Sequence, residues 1–129
     1  MSQEIRNLEP KALWNKFADL NAVPRPSKKE ERVIAFMMEF GQKLGLPTVK
    51  DHVGNVIIKK PATPGMENRK TIVMQSHLDM VHQKNNDTNF DFDTQGIDMY
   101  VDGDWVRARG TTLGADNGLG VATIMAILE

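Results

Sequence analysis

Thr71-Ile72-Val73-Met74-Gln75-Ser76-His77-Leu78-Asp79 is the stretch on which the reading of this chain turns. Residues 71–74 form a short, near-continuous apolar run, the pattern of a strand buried on both faces in a sheet covered by helices. Such a strand would deliver His77 and Asp79 to its carboxyl end, where ligands of open α/β sheets bind. Residues two apart in extended backbone point to the same side, so the two side chains would share one pocket. The expected architecture is α/β, a mixed sheet flanked by helices.

Working outward, the flanking segments supply those helices. Pro10 suits a first helical turn, and Leu13, Phe17 and Leu20 repeat at helical spacing until Pro24 and Pro26 intervene. Ser27-Lys28-Lys29-Glu30 has the form of a capping box, and Val33, Met37, Phe40 and Leu44 make one apolar stripe closed by Gly45 and Pro47. This predicts a helix over 28–44. Val53, Val56, Ile57 and Ile58 form a β-branched run that stops at Pro61 and Pro64-Gly65. Residues 82–96 are polar and read as a loop. Ile97, Met99 and Val101 alternate, Asp102-Gly103 is a hairpin turn, and Trp105-Val106 return. Val121, Ile124, Met125 and Leu128 then show helical spacing. That stripe runs to Glu129 without a visible cap, which raises the expectation of a partial chain.

Composition narrows the function classes. The chain has 129 residues, 40% hydrophobic and 26% charged, enough for one domain with a real core. A net charge of −1 offers no electrostatic case for nucleic acid or an anionic membrane. No apolar run approaches the ~20 residues of a membrane span, and Met1-Ser2-Gln3-Glu4-Ile5-Arg6 lacks a signal-peptide layout. The expected location is cytoplasmic. With no cysteine, disulfides, thiolate metal sites and cysteine catalysis are excluded.

The chemistry must therefore rest on His and carboxylates. A neutral imidazole is a good zinc ligand when a carboxylate holds its other nitrogen, so His77 and Asp79 can be a ligand and its orienting partner. Alone, the tripeptide reads more commonly as a surface histidine beside an aspartate. Asp116 alters that balance. It lies among Gly110, Gly114, Gly118 and Gly120, just before the last helix, where glycines permit sharp turns and the approach of a ligand. Asp116 is either a helix N-cap or a carboxylate able to bridge two cations. The glycine-rich stretch has no phosphate-loop lysine and no G-x-G-x-x-G. Asp91, Asp93 and Gln95 imitate a calcium loop, but Asp102 stands where the bidentate Glu belongs. Ser76 lacks a nucleophile-elbow context, His52 and His82 read as surface residues, and the eight methionines as packing.

Ser76-His77-Leu78-Asp79-Met80-Val81 together with Arg109-Gly110-Thr111-Thr112-Leu113-Gly114-Ala115-Asp116-Asn117-Gly118 resembles the co-catalytic zinc aminopeptidase-like family of carnosinases, aminoacylases and desuccinylases. Pro24-Arg25-Pro26-Ser27 and Asp51-His52-Val53-Gly54-Asn55 look like its branch of bacterial aminoacyl-histidine dipeptidases, and Asn117 helps to place the chain there. The resemblance spans essentially the whole chain. It implies that His77 is a ligand of one metal, that Asp79 holds that imidazole and is catalytic, and that Asp116 bridges two ions. It further implies a cis Asp116–Asn117 bond. The implied cofactor is a pair of Zn2+ ions, with Mn2+ or Co2+ also suited to such donors. The implied activity is hydrolysis of dipeptides, Xaa-His types such as carnosine above all, with no nucleic-acid or membrane partner. Two alternatives stand beside it: a tripeptidase or N-acyl amino acid deacylase of the same family, and a non-catalytic fragment or binding module. The family's Glu-Glu pair, further acidic ligand, distal His and inserted lid or dimerisation domain find no match here, and Glu129 is not assigned to that pair. Residues 1–129 are thus expected to be the N-terminal part of a catalytic domain, inactive alone, with any homodimer formed through a domain this chain lacks.

Overall fold

The computed structural model describes residues 3–129. In chain order these form α1 (Gln3–Arg6), α2 (Lys11–Asn21), α3 (Glu31–Lys43), β1 (Thr48–Lys50), β2 (Val56–Ile58), β3 (Met99–Asp102), β4 (Trp105–Ala108) and α4 (Ala115–Leu128). Helices and strands both contribute, as an α/β reading requires. Among the described residues the strands make two separate antiparallel pairs, β1 with β2 and β3 with β4, in place of a single mixed sheet.

The helical stripes fold as their spacing dictates. Phe17 and Leu20 of α2 and Val33 and Met37 of α3 are buried, as are Val121, Met125 and Leu128 of α4. α2 packs on α4 and on α1, a short helix whose buried Ile5 had no periodic signal in the sequence. One core cluster gathers Ile5, Phe17, Met80, Ile97 and Met99, and a second gathers Leu20, Val33, Met37, Val121 and Met125. α2 therefore serves both clusters, one on each side.

α3 ends as expected. Gly45 takes φ 71°, while Leu46 N donates to Gly41 O at 3.1 Å and Gly45 N to Gln42 O at 2.9 Å. These two bonds are a Schellman cap, which satisfies carbonyls a helix end leaves open. The start differs from the sequence expectation. α3 begins at Glu31, without a side-chain cap. Glu30 accepts from Lys28 N at 2.8 Å, and Ser27 turns away to another partner. The supposed capping box is thus taken apart by tertiary contacts.

Three strand expectations also change. β2 keeps Val56–Ile58 but leaves Val53 in a turn, and its partner β1 follows Pro47. In the second hairpin Asp102 pairs with Trp105, so the tight loop is Gly103-Asp104, one residue later than Asp102-Gly103. Most tellingly, residues 71–76 join no sheet, and Ile72 and Val73 are 80% and 86% exposed. What fixes the stretch after them is a parallel bridge from Pro26 to Met80: Met80 N donates to Arg25 O at 3.0 Å and Ser27 N to Met80 O at 3.1 Å. His77 and Asp79 are thus held by the Pro24-Arg25-Pro26-Ser27 segment.

Candidate metal centre

Two chain segments meet at the site: the 77–80 stretch tethered to Pro26, and the turn that opens α4. Within α4, Asp116 and Asn117 have non-helical backbone angles, and the Asp116–Asn117 bond is cis, as the resemblance implied. Asp116 is not spent on capping. Its carboxylate projects outward, 95% exposed, and Oδ1 lies 3.0 Å from Nε2 of His77.

The other face of the imidazole is equally committed. Nδ1 of His77 lies 3.1 Å from both Oδ1 and the main-chain oxygen of Asp79. Asp79 is itself held, since Ser27 Oγ donates to its Oδ2 at 2.5 Å. The result is an ordered line: Ser27, Asp79, His77, Asp116. The hydrogen bond to Asp116 does most to raise the pKa of His77; burial opposes it, and the bonds to Asp79 add to the rise. Asp79 is lowered, first by Ser27 and then by His77.

This geometry sets a choice. A neutral imidazole donates from one nitrogen only, yet both of its nitrogens face carboxylate oxygen. With Nδ1–H given to Asp79, the Nε2 lone pair would point at Asp116. Either a second proton or another cation must therefore lie between Nε2 and Asp116. Two donors of one tetrahedral zinc, each at about 2.0–2.1 Å, lie about 3.3 Å apart, close to the 3.0 Å found here. The donor chemistry, an imidazole backed by a carboxylate and facing a second carboxylate, suits a divalent ion. Among the described residues no group of three or more His, Asp or Glu side chains is arranged to hold a metal. The chain's own donor set at this point is the His77–Asp116 pair.

Behind the pair lies a residue that sequence reasoning passed over. Arg25 is 1% exposed. Its Nη1 donates to Leu78 O at 3.1 Å and to Asp79 O at 3.4 Å; Nη2 donates to Asn21 Oδ1 at 2.7 Å and to Gly114 O at 2.9 Å. Burial brings its pKa down to about 10, against an upward pull from Asp79. Arg25 remains a cation at neutral pH. Asn21, also buried, donates to Leu113 O at 3.0 Å.

The glycines acquire a different purpose from the one the sequence suggested. A Cβ on Gly114 would lie 2.7 Å from Arg25 Nη2, and one on Gly118 would lie 2.6 Å from the same atom. On Gly120 it would meet Asn117 Oδ1 at 2.1 Å, and on Gly110 Thr88 Oγ1 at 2.2 Å. The space is filled by the protein's own side chains rather than kept for a ligand. The decoys behave as read. Asp91 accepts from Asp93 N, Thr94 Oγ1 and Gln95 N inside its own turn, and Asp93 pairs with Lys29. His52 and His82 are exposed, and Ser76 Oγ donates to Asn117 O at 3.3 Å. The two prolines around Arg25 say extended backbone but not burial, and Ser27 read as a helix cap, so local pattern gave no cue to the partners of either.

Comparison with known proteins sets this geometry in context. No protein-family model matches the chain. Over 125 residues, 97% of its length, it is 51% identical to the cytosol non-specific dipeptidase of Escherichia coli strain K12, of which it covers 26%. Its fold superposes with a TM-score of 0.94 and 50% identity on 26% of the crystal structure of aminoacylhistidine dipeptidase from Vibrio alginolyticus. A tripeptidase from Staphylococcus aureus shares the fold at TM-score 0.68 and 20% identity, over 94% of this chain and 32% of that one. The chain thus spans about a quarter of the length of the dipeptidases it resembles, and the α/β domain is theirs in shape.

Proposed function

We propose that this chain carries part of the active site of a cytoplasmic, dizinc dipeptidase that hydrolyses dipeptides, Xaa-His dipeptides among them. The observation that carries the proposal is the His77 imidazole set between two carboxylates, with Nε2 aimed at Asp116. The likeness to two dipeptidases over 97–98% of the chain supports it. Their names, a non-specific and an aminoacylhistidine dipeptidase, favour a substrate class of dipeptides over deacylation. Among the described residues no helix is long and apolar enough to cross a membrane, and the E. coli relative is named as cytosolic.

In this reading His77, through Nε2, and the carboxylate of Asp116, exposed and unencumbered by capping, would hold the ions. Asp79 fixes the tautomer, keeping the proton on Nδ1 and the lone pair of Nε2 free, while Ser27 keeps Asp79 in place. Two zinc ions would supply Lewis-acid activation of water and of the peptide carbonyl. The general base and remaining ligands are assigned to no residue of this chain. Residues 1–129 are accordingly the N-terminal part of a catalytic domain, and any homodimer would form through another part of the parent protein.

The test uses the protein at the full length of its gene. Zinc content by mass spectrometry and hydrolysis of β-alanyl-histidine and glycyl-glycine would be compared for the parent, His77→Ala and Asp116→Asn. The expected result is near two zinc ions for the parent, a loss of bound zinc in both variants, and activity down by at least about a hundredfold. Undiminished hydrolysis by His77→Ala would overturn the reading.

A further inference from the structure

Arg25 touches neither of the two facing donors, yet it holds the backbone on both sides of them. One half of its guanidinium binds the carbonyls of Leu78 and Asp79, directly after His77. The other half binds the carbonyl of Gly114, two residues before Asp116. Asn21 anchors the same Nη2 and extends the grip to Leu113 O. These are segments about forty positions apart in sequence, and the rigid, planar fork grips main-chain carbonyls on both at once. Gly114 and Gly118 are shaped to it, since a methyl group on either would collide with Nη2. Asp79 also has a buried counter-charge close by, because Arg25 attracts it.

We propose that Arg25 is a positioning residue of the metal centre: by clamping the 78–79 and 114 carbonyls on one guanidinium it sets the separation of His77 and Asp116 before a cation arrives. The proposal rests on the reading of that pair as metal donors. A lysine keeps the charge but places its three donors around one point, so it cannot serve both segments at once. The protein then folds, but its two donors are no longer held at one spacing.

The experiment is the affinity for Zn2+ alone, by competition with a chromophoric chelator, on the full-length protein and four variants. Arg25→Lys and Asn21→Ala loosen the clamp, His77→Ala removes a donor, and Gly103→Ala strains the β3–β4 turn, where nothing lies within 4 Å of the added methyl group. We expect Zn2+ binding to weaken about 10- to 100-fold in Arg25→Lys and Asn21→Ala, the range seen when outer partners of metal ligands are lost. Gly103→Ala should lower Tm and leave the zinc affinity at the parent value. Parent-like zinc affinity in Arg25→Lys, alongside weakened binding in His77→Ala, overturns the clamp alone. An equal loss in Gly103→Ala also overturns it, because general destabilisation would then explain the effect. Failure of both clamp variants to fold makes Arg25 a member of the core and overturns it too. No zinc binding by the parent, or an unchanged His77→Ala, sinks the proposal together with the metal reading beneath it.

Discussion

His77 faces a carboxylate on each side, and what it does depends on which cation occupies the Nε2 side. Without metal, Asp116 and Asp79 hold the imidazolium to a higher pH than the ordinary 6.5. The contribution of His77 to stability is then fully present below about 6.5 and is lost as pH rises through the raised value. With zinc the sign reverses, because the metal must displace that proton. Zinc affinity should climb about tenfold per pH unit up to the raised pKa and flatten above it. Melting curves in chelator and in zinc, taken across pH 5–9, should slope in opposite directions; parallel slopes would refute this. Ser27 supports Asp79 in a comparable way. The carboxyl of Asp79 lies below its usual 3.8, so its contribution exists above that pH and fades as pH falls through the lowered value. Ser27→Ala should cost about 1 kcal/mol at pH 7 by urea unfolding, and the gap should close in acid. His77, Asp79 and Asp116, which the fold brings together, stood out in the sequence because His-x-Asp and the Gly-flanked Asp116 have local patterns. Ser27 was misread because its hydroxyl serves a residue 52 positions away, a choice no local rule encodes.

At the scale of elements, the glycine-rich turn before α4 separates two costs. Gly114 combines φ 79° with a Cβ position blocked by Arg25, whereas Gly103 has φ 60° with open space around it. Gly103→Ala should cost about 1–2 kcal/mol from left-handed backbone alone. Gly114→Ala should add about 1–3 kcal/mol of overpacking. Equal losses in chemical denaturation would mean the guanidinium moves aside freely. Helices α2, α3 and α4 and the strands of the β3–β4 hairpin were legible from period and turn chemistry, and α3 stopped where Gly45 and Pro47 said it would; α1 gave no periodic signal, and the hairpin turn falls one residue later than read. The first turn of α3 was not legible, because Glu30 bonds back to Lys28 rather than to a capping serine.

Across the whole molecule, α2 binds two cores together, and its C-terminal end reaches the site through Asn21 and Arg25. The largest departure from the sequence reading is residues 71–74. A run fit for the interior carries no ladder bonds and stands in solvent beside a well-built site. Periodicity reports that a segment is apolar, not what covers it. Exposed Ile72 and Val73 form an adhesive strip. The isolated 129-residue chain should therefore associate with rising concentration in light scattering, and Ile72→Thr with Val73→Thr should suppress this; unchanged association would place the contact elsewhere. The fixture beneath the metal-facing pair has a different bearing on variation. Of the four oxygens that Arg25 grips, three are main-chain carbonyls. Every residue has a carbonyl, so the grip of Arg25 at 78, and that of Asn21 at 113, is indifferent to which side chains stand there. It asks for identity only at 21, 25, 114 and 118. In a saturation screen scored on zinc retention, tolerance around this site should therefore look patchy along the chain: 78 and 113, which pack on the two cores, should accept a range of apolar side chains, next to positions that accept nothing else.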